Sequence, residues 1–219
     1  MTMLMDLKGA TSAHHRALEQ QMTVLDAGLT LSAYRQLLRV QLGFYDSLER
    51  LLCAAPGWAD IGLDYAPRHK TPRLVRDLQV LGDSSQRIDN LPRCARLVPL
   101  DTSARLLGCL YVIEGATLGG RIIIRHLQAH FGITPASGAA FFDGYGCTTG
   151  SHWKIFCAVF TNHADRVATA ADRQQMLHSA VQTFASLQRW MSASMVPVDH
   201  QTAFGDAVAT SELRLCEWR

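Results

Sequence analysis

Three glycines, Gly115, Gly119 and Gly120, crowd one stretch of apolar, helix-patterned sequence, Tyr111-Val112-Ile113-Glu114-Gly115-Ala116-Thr117-Leu118-Gly119-Gly120-Arg121. A glycine inside a helix costs roughly 1 kcal/mol relative to alanine, because it loses more backbone freedom on folding. Together these glycines sacrifice about 3 kcal/mol of local preference on the same scale. Something must offset that loss. Either the backbone bends there, or it lies close against a ligand or another helix. Any fold that contains this segment presents a helical face stripped of side chains, and such a face suits a flat, bulky ligand.

Helical patterning extends over most of the chain. Leu4, Leu7, Thr11, Leu18, Met22 and Leu25 recur at spacings of three, four or seven, which predicts an amino-terminal helix. A second helix follows a cap at Thr30 or Ser32, runs from Tyr34 to Leu52 and ends at Ala55-Pro56-Gly57. Residues 57 to 72 read as a loop. Pro72 suits the first turn of a short helix reaching Leu81, before Gly82-Asp83-Ser84-Ser85 breaks the pattern. A third long helix starts near Asp101, Thr102 or Ser103, passes through the glycine cluster and stops at Phe131, ahead of Gly132 and Pro135. The segment from Phe141 to Gly146 reads as a loop. Helical spacing returns after Gly150, and a last helix runs from about Thr169 to Trp190. No alternating β-branched run bounded by turns occurs. The expected fold is an all-α, single-domain helical bundle over residues 1–191, with residues 192–219 as a carboxyl-terminal tail packed on the same domain.

Composition narrows the function. A chain of 219 residues, 48% hydrophobic, supplies one sizeable core, and no Gly/Ser- or Pro-rich linker divides it. A net charge of +2 is too small to imply a nucleic acid or a membrane surface as partner. The stretch from Met1 to Lys8 lacks a basic segment followed by an apolar one, so it does not resemble a signal peptide, and the expected location is cytoplasmic. The cysteines, Cys53, Cys94, Cys109, Cys147, Cys157 and Cys216, form no C-x-x-C pair, which argues against a zinc site or redox motif. They are expected to be free, mostly buried thiols, with Cys216 the most exposed.

The first helix carries His14 and His15 side by side. Both lie within about 50–60° of the centre of the apolar stripe at 3.6 residues per turn, so phase alone does not separate them. Glu19 does. It lies four residues beyond His15 on the same face, where a carboxylate orients an imidazole through one nitrogen and raises the basicity of the other.

These residues carry a family resemblance. Leu7-Lys8-x-Ala10-Thr11-x-x-x-His15-x-x-x-Glu19 is similar to the proximal helix of the biliverdin-producing haem oxygenases, and Tyr111-Val112-x-Glu114-Gly115-x-x-Leu118-Gly119-Gly120 to their kinked distal helix. The bacterial branch looks closest. A weaker match continues through Phe141-Phe142, Trp153-Lys154 and Arg173 to Phe184. The resemblance implies a bundle with haem held between the proximal and distal helices. It implies His15 as axial iron ligand, with Glu19 on the second ring nitrogen and His14 as a neighbour without a direct role. Gly115, Gly119 and Gly120 would let the distal helix bend and lie on the porphyrin. Lys8, and with it Tyr111 and Lys154, would meet the haem propionates.

The activity implied is oxidative opening of haem to biliverdin, carbon monoxide and ferrous iron, with haem as both cofactor and substrate. Dioxygen is consumed, and electrons come from an external donor such as a ferredoxin or flavin reductase. A biliverdin-using photoreceptor is a further implied partner. Two positions depart from the family pattern. Ala116 stands where many members have an aspartate that organises water for proton delivery, and Ala158 stands where an arginine is expected one turn after Lys154. Ala116 motivates an alternative from another class, a non-catalytic haem carrier or sensor with the same fold. A third reading is an all-α protein without haem, its histidines at the core boundary and its glycines at helix contacts.

Overall fold

A computed structural model describes residues 2–166 and 168–195. In chain order its helices are α1 (Met3–Gln21), α2 (Leu31–Ala54), α3 (Trp58–Ile61), α4 (Thr71–Val80), α5 (Ser85–Asp89), α6 (Ser103–Gly115), α7 (Gly120–Phe131), α8 (Ala140–Asp143), α9 (Thr149–Arg166) and α10 (Ala170–Ser194). No strand occurs among the described residues, and the chain is all-α as its periodicity predicts.

The starts of the long helices follow from local chemistry. The hydroxyls of Thr30 and Thr102 accept from the backbone N–H groups of Ala33 and Arg105. Thr169 and Asp172 form a reciprocal capping box at the head of α10. At the centre lies α6, buried without interruption from Leu106 to Gly115, so it must be covered on every side. α10 covers one side. Gly108 of α6 lies against the Met176 carbonyl with no room for a Cβ, and the Ser179 hydroxyl donates to the Arg105 carbonyl at 2.6 Å. α1 lies on α10 in turn, where His14 Nδ1 meets the Gln188 amide oxygen at 3.0 Å.

Three short helices escaped the periodicity. α3 lies within the expected 57–72 loop, α5 follows the break at Ser84, and α8 occupies part of the expected 141–146 loop. Each is four or five residues long, too short to repeat a 3.6-residue pattern. α8 depends on a distant residue. The buried Asp77 of α4 accepts the Ala140 and Phe141 N–H groups at 2.9 and 2.8 Å, satisfying donors that a helix start leaves open. Burial raises the Asp77 pKa above the usual carboxylate value, against the lowering effect of those two bonds.

The expected helix through the glycine cluster bends there, as the glycines and the resemblance imply. Ala116–Gly119 forms a 3₁₀ turn between α6 and α7, and this turn is the kink. By length and composition Ser103–Phe131 is apolar enough to cross a membrane, but α6 is a core element of the bundle. The thiols differ from expectation: Cys94 and Cys109 are buried, whereas Cys53 and Cys147 are exposed. Cys216 and the tail from residue 196 lie outside the described residues.

Candidate haem pocket

The kink forms one wall of a mostly apolar cavity. Open space within its walls and at its mouth together amounts to about 1180 Å³. Its walls are mostly aliphatic and aromatic. α1 contributes His15, Leu18, Glu19 and Met22 on one side. Gly115, the 3₁₀ turn and Ile123 of α7 line the other. Phe184 of α10 and Phe141 and Phe142 of α8 contribute further apolar surface.

His15 and Glu19 are brought together as their spacing predicts. His15 Nδ1 lies 3.4 Å from a Glu19 carboxylate oxygen, with both side chains about 30% exposed. The ring meets Phe184 edge-on, centroids 6.0 Å apart. A carboxylate can only accept, so its position favours the tautomer protonated at Nδ1 and leaves the lone pair on Nε2. His14 is turned to Gln188 instead and does not line the cavity.

The three glycines divide in function. All have right-handed helical backbone angles, so none is required by its conformation. What matters is the missing side chain. Gly115 and Gly119 line the cavity. Gly120 does not, because the Phe142 carbonyl lies where its Cβ would stand. This close contact seats α8 on the kink.

Lys8, Tyr111 and Lys154 are not part of the cavity wall. Lys8 is exposed on α1, two turns before His15 and on the same side. Lys154 is exposed on α9. Tyr111 is buried, 6.0 Å from the Trp153 ring. Burial pushes its hydroxyl up to about 12 although a bond with Thr11 acts the other way.

Sequence reasoning assigned no role to the most unusual feature beside the cavity. Glu114, immediately before the kink, is 1% exposed. Its carboxylate is paired with the Arg68 guanidinium and lies 2.8 Å from the Lys70 ammonium. The Tyr145 hydroxyl donates to it at 2.9 Å. Lys70 spends its three protons on Glu114, the Arg68 carbonyl at 3.0 Å and the Tyr145 oxygen at 3.2 Å. Burial lowers the Lys70 pKa, and Glu114 opposes that effect. Lys70 also lines the cavity, as does the buried Gln41. A second buried carboxylate, Glu49, accepts from the Lys70 and Thr71 N–H groups at 2.6 and 3.1 Å and from Tyr65 at 3.1 Å. One sequence signal pointed here. A glutamate within the apolar run from Leu106 to Gly115 calls for a buried partner, and Arg68-His69-Lys70 is a compact source of cations.

Comparison with known proteins agrees with this architecture. The family model described as "Heme oxygenase" matches residues 1–193. A heme oxygenase from Xanthomonas campestris pv. campestris (strain 8004) is 30% identical over 174 residues, which span 79% of this chain and 94% of that protein. Among solved structures, heme oxygenase from Neisseria meningitidis superimposes with a TM-score of 0.72 at 17% identity, covering 89% of this chain and 92% of that one. Heme oxygenase-1 from the cyanobacterium Synechocystis sp. PCC6803, solved in complex with heme, gives 0.65 at 16% identity over 88% and 92%. The cavity thus lies in a chain that belongs to the haem oxygenase family.

Proposed function

We propose that this haem oxygenase holds haem between α1 and the kink, with His15 Nε2 on the iron. The observation that carries the reading is the pairing of His15, buttressed by Glu19, with a wall of Gly115 and Gly119 across one apolar cavity. The residues fit the group. A large flat macrocycle needs apolar walls, one nitrogen donor and a backbone surface without side chains, and each is present. Bound haem supplies oxygen activation and is itself the substrate opened to biliverdin, carbon monoxide and ferrous iron.

The chain's own residues have three tasks in this reading. Glu19 fixes the orientation and basicity of His15. Gly115 and Gly119 present backbone without side chains to the cavity, so that a flat group would lie close against the kink. Gln41, with Thr117 and Thr183, supplies polar atoms on a mostly apolar surface, suited to ordering water where Ala116 offers no carboxylate. Lys8, Tyr111 and Lys154 stay assigned to the propionates by resemblance, with Lys8 best placed on the His15 side of α1. The same reading places the reaction in the cytoplasm, with dioxygen and an external donor, a ferredoxin or flavin reductase, as co-reactants. A biliverdin-using photoreceptor is a recipient consistent with the product.

Reductant-driven turnover of the haem-loaded protein, in the presence of catalase, tests the activity. Biliverdin is expected in the extracted pigment. Haem that binds without yielding biliverdin under any competent donor sinks the catalytic reading in favour of a carrier. Two variants test the site. His15→Ala loses the axial-histidine spectrum whereas His14→Ala keeps it, and equal spectra overturn the ligand assignment. Gly119→Leu fills the kinked wall and blocks turnover.

A further inference from the structure

A second constellation of reactive side chains lies outside the haem pocket. Cys53, exposed near the end of α2, places its sulfur 3.6 Å from Nε2 of His69. Nδ1 of the same ring lies 3.4 Å from a carboxylate oxygen of Glu49, one turn before Cys53 on α2. Glu49 is buried and accepts from the Tyr65 hydroxyl and the Lys70 and Thr71 N–H groups, so its carboxylate is held at a fixed place. The imidazole is fixed as well. It packs on Tyr65 with centroids 5.0 Å apart, and the Arg73 guanidinium binds its backbone carbonyl. With the carboxylate beside Nδ1, the Nε2 lone pair faces the thiol. The order nucleophile, base and orienting carboxylate is the arrangement that activates a weak nucleophile. No other described cysteine has an imidazole against it: Cys94 and Cys109 are buried, Cys157 is half-buried, and Cys147 is exposed without such a partner.

We propose that Cys53, with His69 as acceptor of its proton and Glu49 as a positioning residue, is a thiol-modification site for small disulfides. The Cys53 sulfur, its proton passed to His69, attacks one sulfur of the disulfide. A mixed disulfide forms at Cys53 as the original S–S bond breaks. The departing sulfur takes the proton from His69 and leaves as a thiol. Cys53 is oxidised and the departing half is reduced, so no further reactant is needed. The site stands independently of the haem reading, since neither Cys53 nor His69 lines the cavity.

The test uses the full chain and oxidised glutathione, with intact mass and peptide mapping to follow each thiol over time. Cys53 is expected to acquire the adduct at least about tenfold faster than Cys147, a factor modest for general-base assistance. Cys53→Ser should abolish the fast phase. His69→Ala should bring Cys53 down to the Cys147 rate, and free imidazole in the buffer should restore it, which a loss of packing alone would not allow. Equal rates at Cys53 and Cys147, or an undiminished rate in His69→Ala, overturn the proposal. A loss in His69→Ala that imidazole does not restore removes His69 as the base and overturns it too. An unaltered haem Soret band in each variant confirms that the fold is intact.

Discussion

The two walls of the haem pocket are built on opposite principles. The proximal wall is a single amphipathic helix. Its functional pair, His15 and Glu19, is local, one turn apart and about 30% exposed. The distal wall is assembled from α6, a 3₁₀ turn, α7, α8 and the segment before α4, and it is locked by a carboxylate 1% exposed between two cations that are 3% and 4% exposed. The proximal side offers a ligand and relies little on its surroundings. The distal side offers shape, and shape has to be held. Stability and ligation should therefore separate between the walls.

The largest loss of stability is expected at the distal lock. Glu114→Leu leaves Arg68 and Lys70 buried without their counter-charge, which should cost about 3–5 kcal/mol in denaturant unfolding. A cost below 1 kcal/mol would mean that the cluster relaxes into water, and the contrast between the walls would fail. Gly120→Ala comes next. Its new methyl group meets the Phe142 carbonyl, and overpacking of this kind costs about 1–3 kcal/mol, read as a lower Tm.

A third carboxylate sharpens the comparison. Asp83 is also held by two arginines, Arg35 and Arg39, but theirs are 29% and 13% exposed. The hydrogen bond from Arg39 is the largest influence holding the Asp83 carboxyl at about 2. Its folded pKa is depressed, so its contribution is present above about pH 4 and is lost as the pH falls through about 2. Asp83→Asn should lower stability by about 2 kcal/mol at neutral pH, and the difference from the parent should vanish in acid. A difference that persists at the lowest pH would assign the loss to packing. The smallest change in stability is expected at the proximal wall. His15→Ala should alter the unfolding free energy by no more than about 0.5 kcal/mol while removing the axial-histidine spectrum.

The same contrast explains what was legible in the sequence. His15 and Glu19 declare each other because four residues on a helix bring them to one face. The long helices were legible from periodicity and caps, and the kink from the cost of its glycines. The distal lock was not. Glu114 meets Arg68, Lys70 and Tyr145 across sequence separations of 46, 44 and 31 residues, and no local pattern encodes such pairings. The division of labour among the glycines was equally hidden, since Gly120 serves Phe142, a residue on another element. Cys53 and His69 are 16 residues apart, and His69 falls within the 57–72 segment that reads as a loop.

The kink does more than bend the chain. A 3₁₀ turn advances by about 120° per residue and an α-helix by about 100°. Across the four residues Ala116–Gly119 the difference accumulates to about 80° of extra rotation. α6 is buried all round and has no preferred phase. α7 does have one: its buried positions, Gly120, Ile123 and Leu127, form a single stripe. A continuous α-helix would turn that stripe by nearly a quarter of a revolution from its present direction. The tight turn is thus a phase adjuster between two helices with different surroundings, and the pocket wall is the surface on which the adjustment is made.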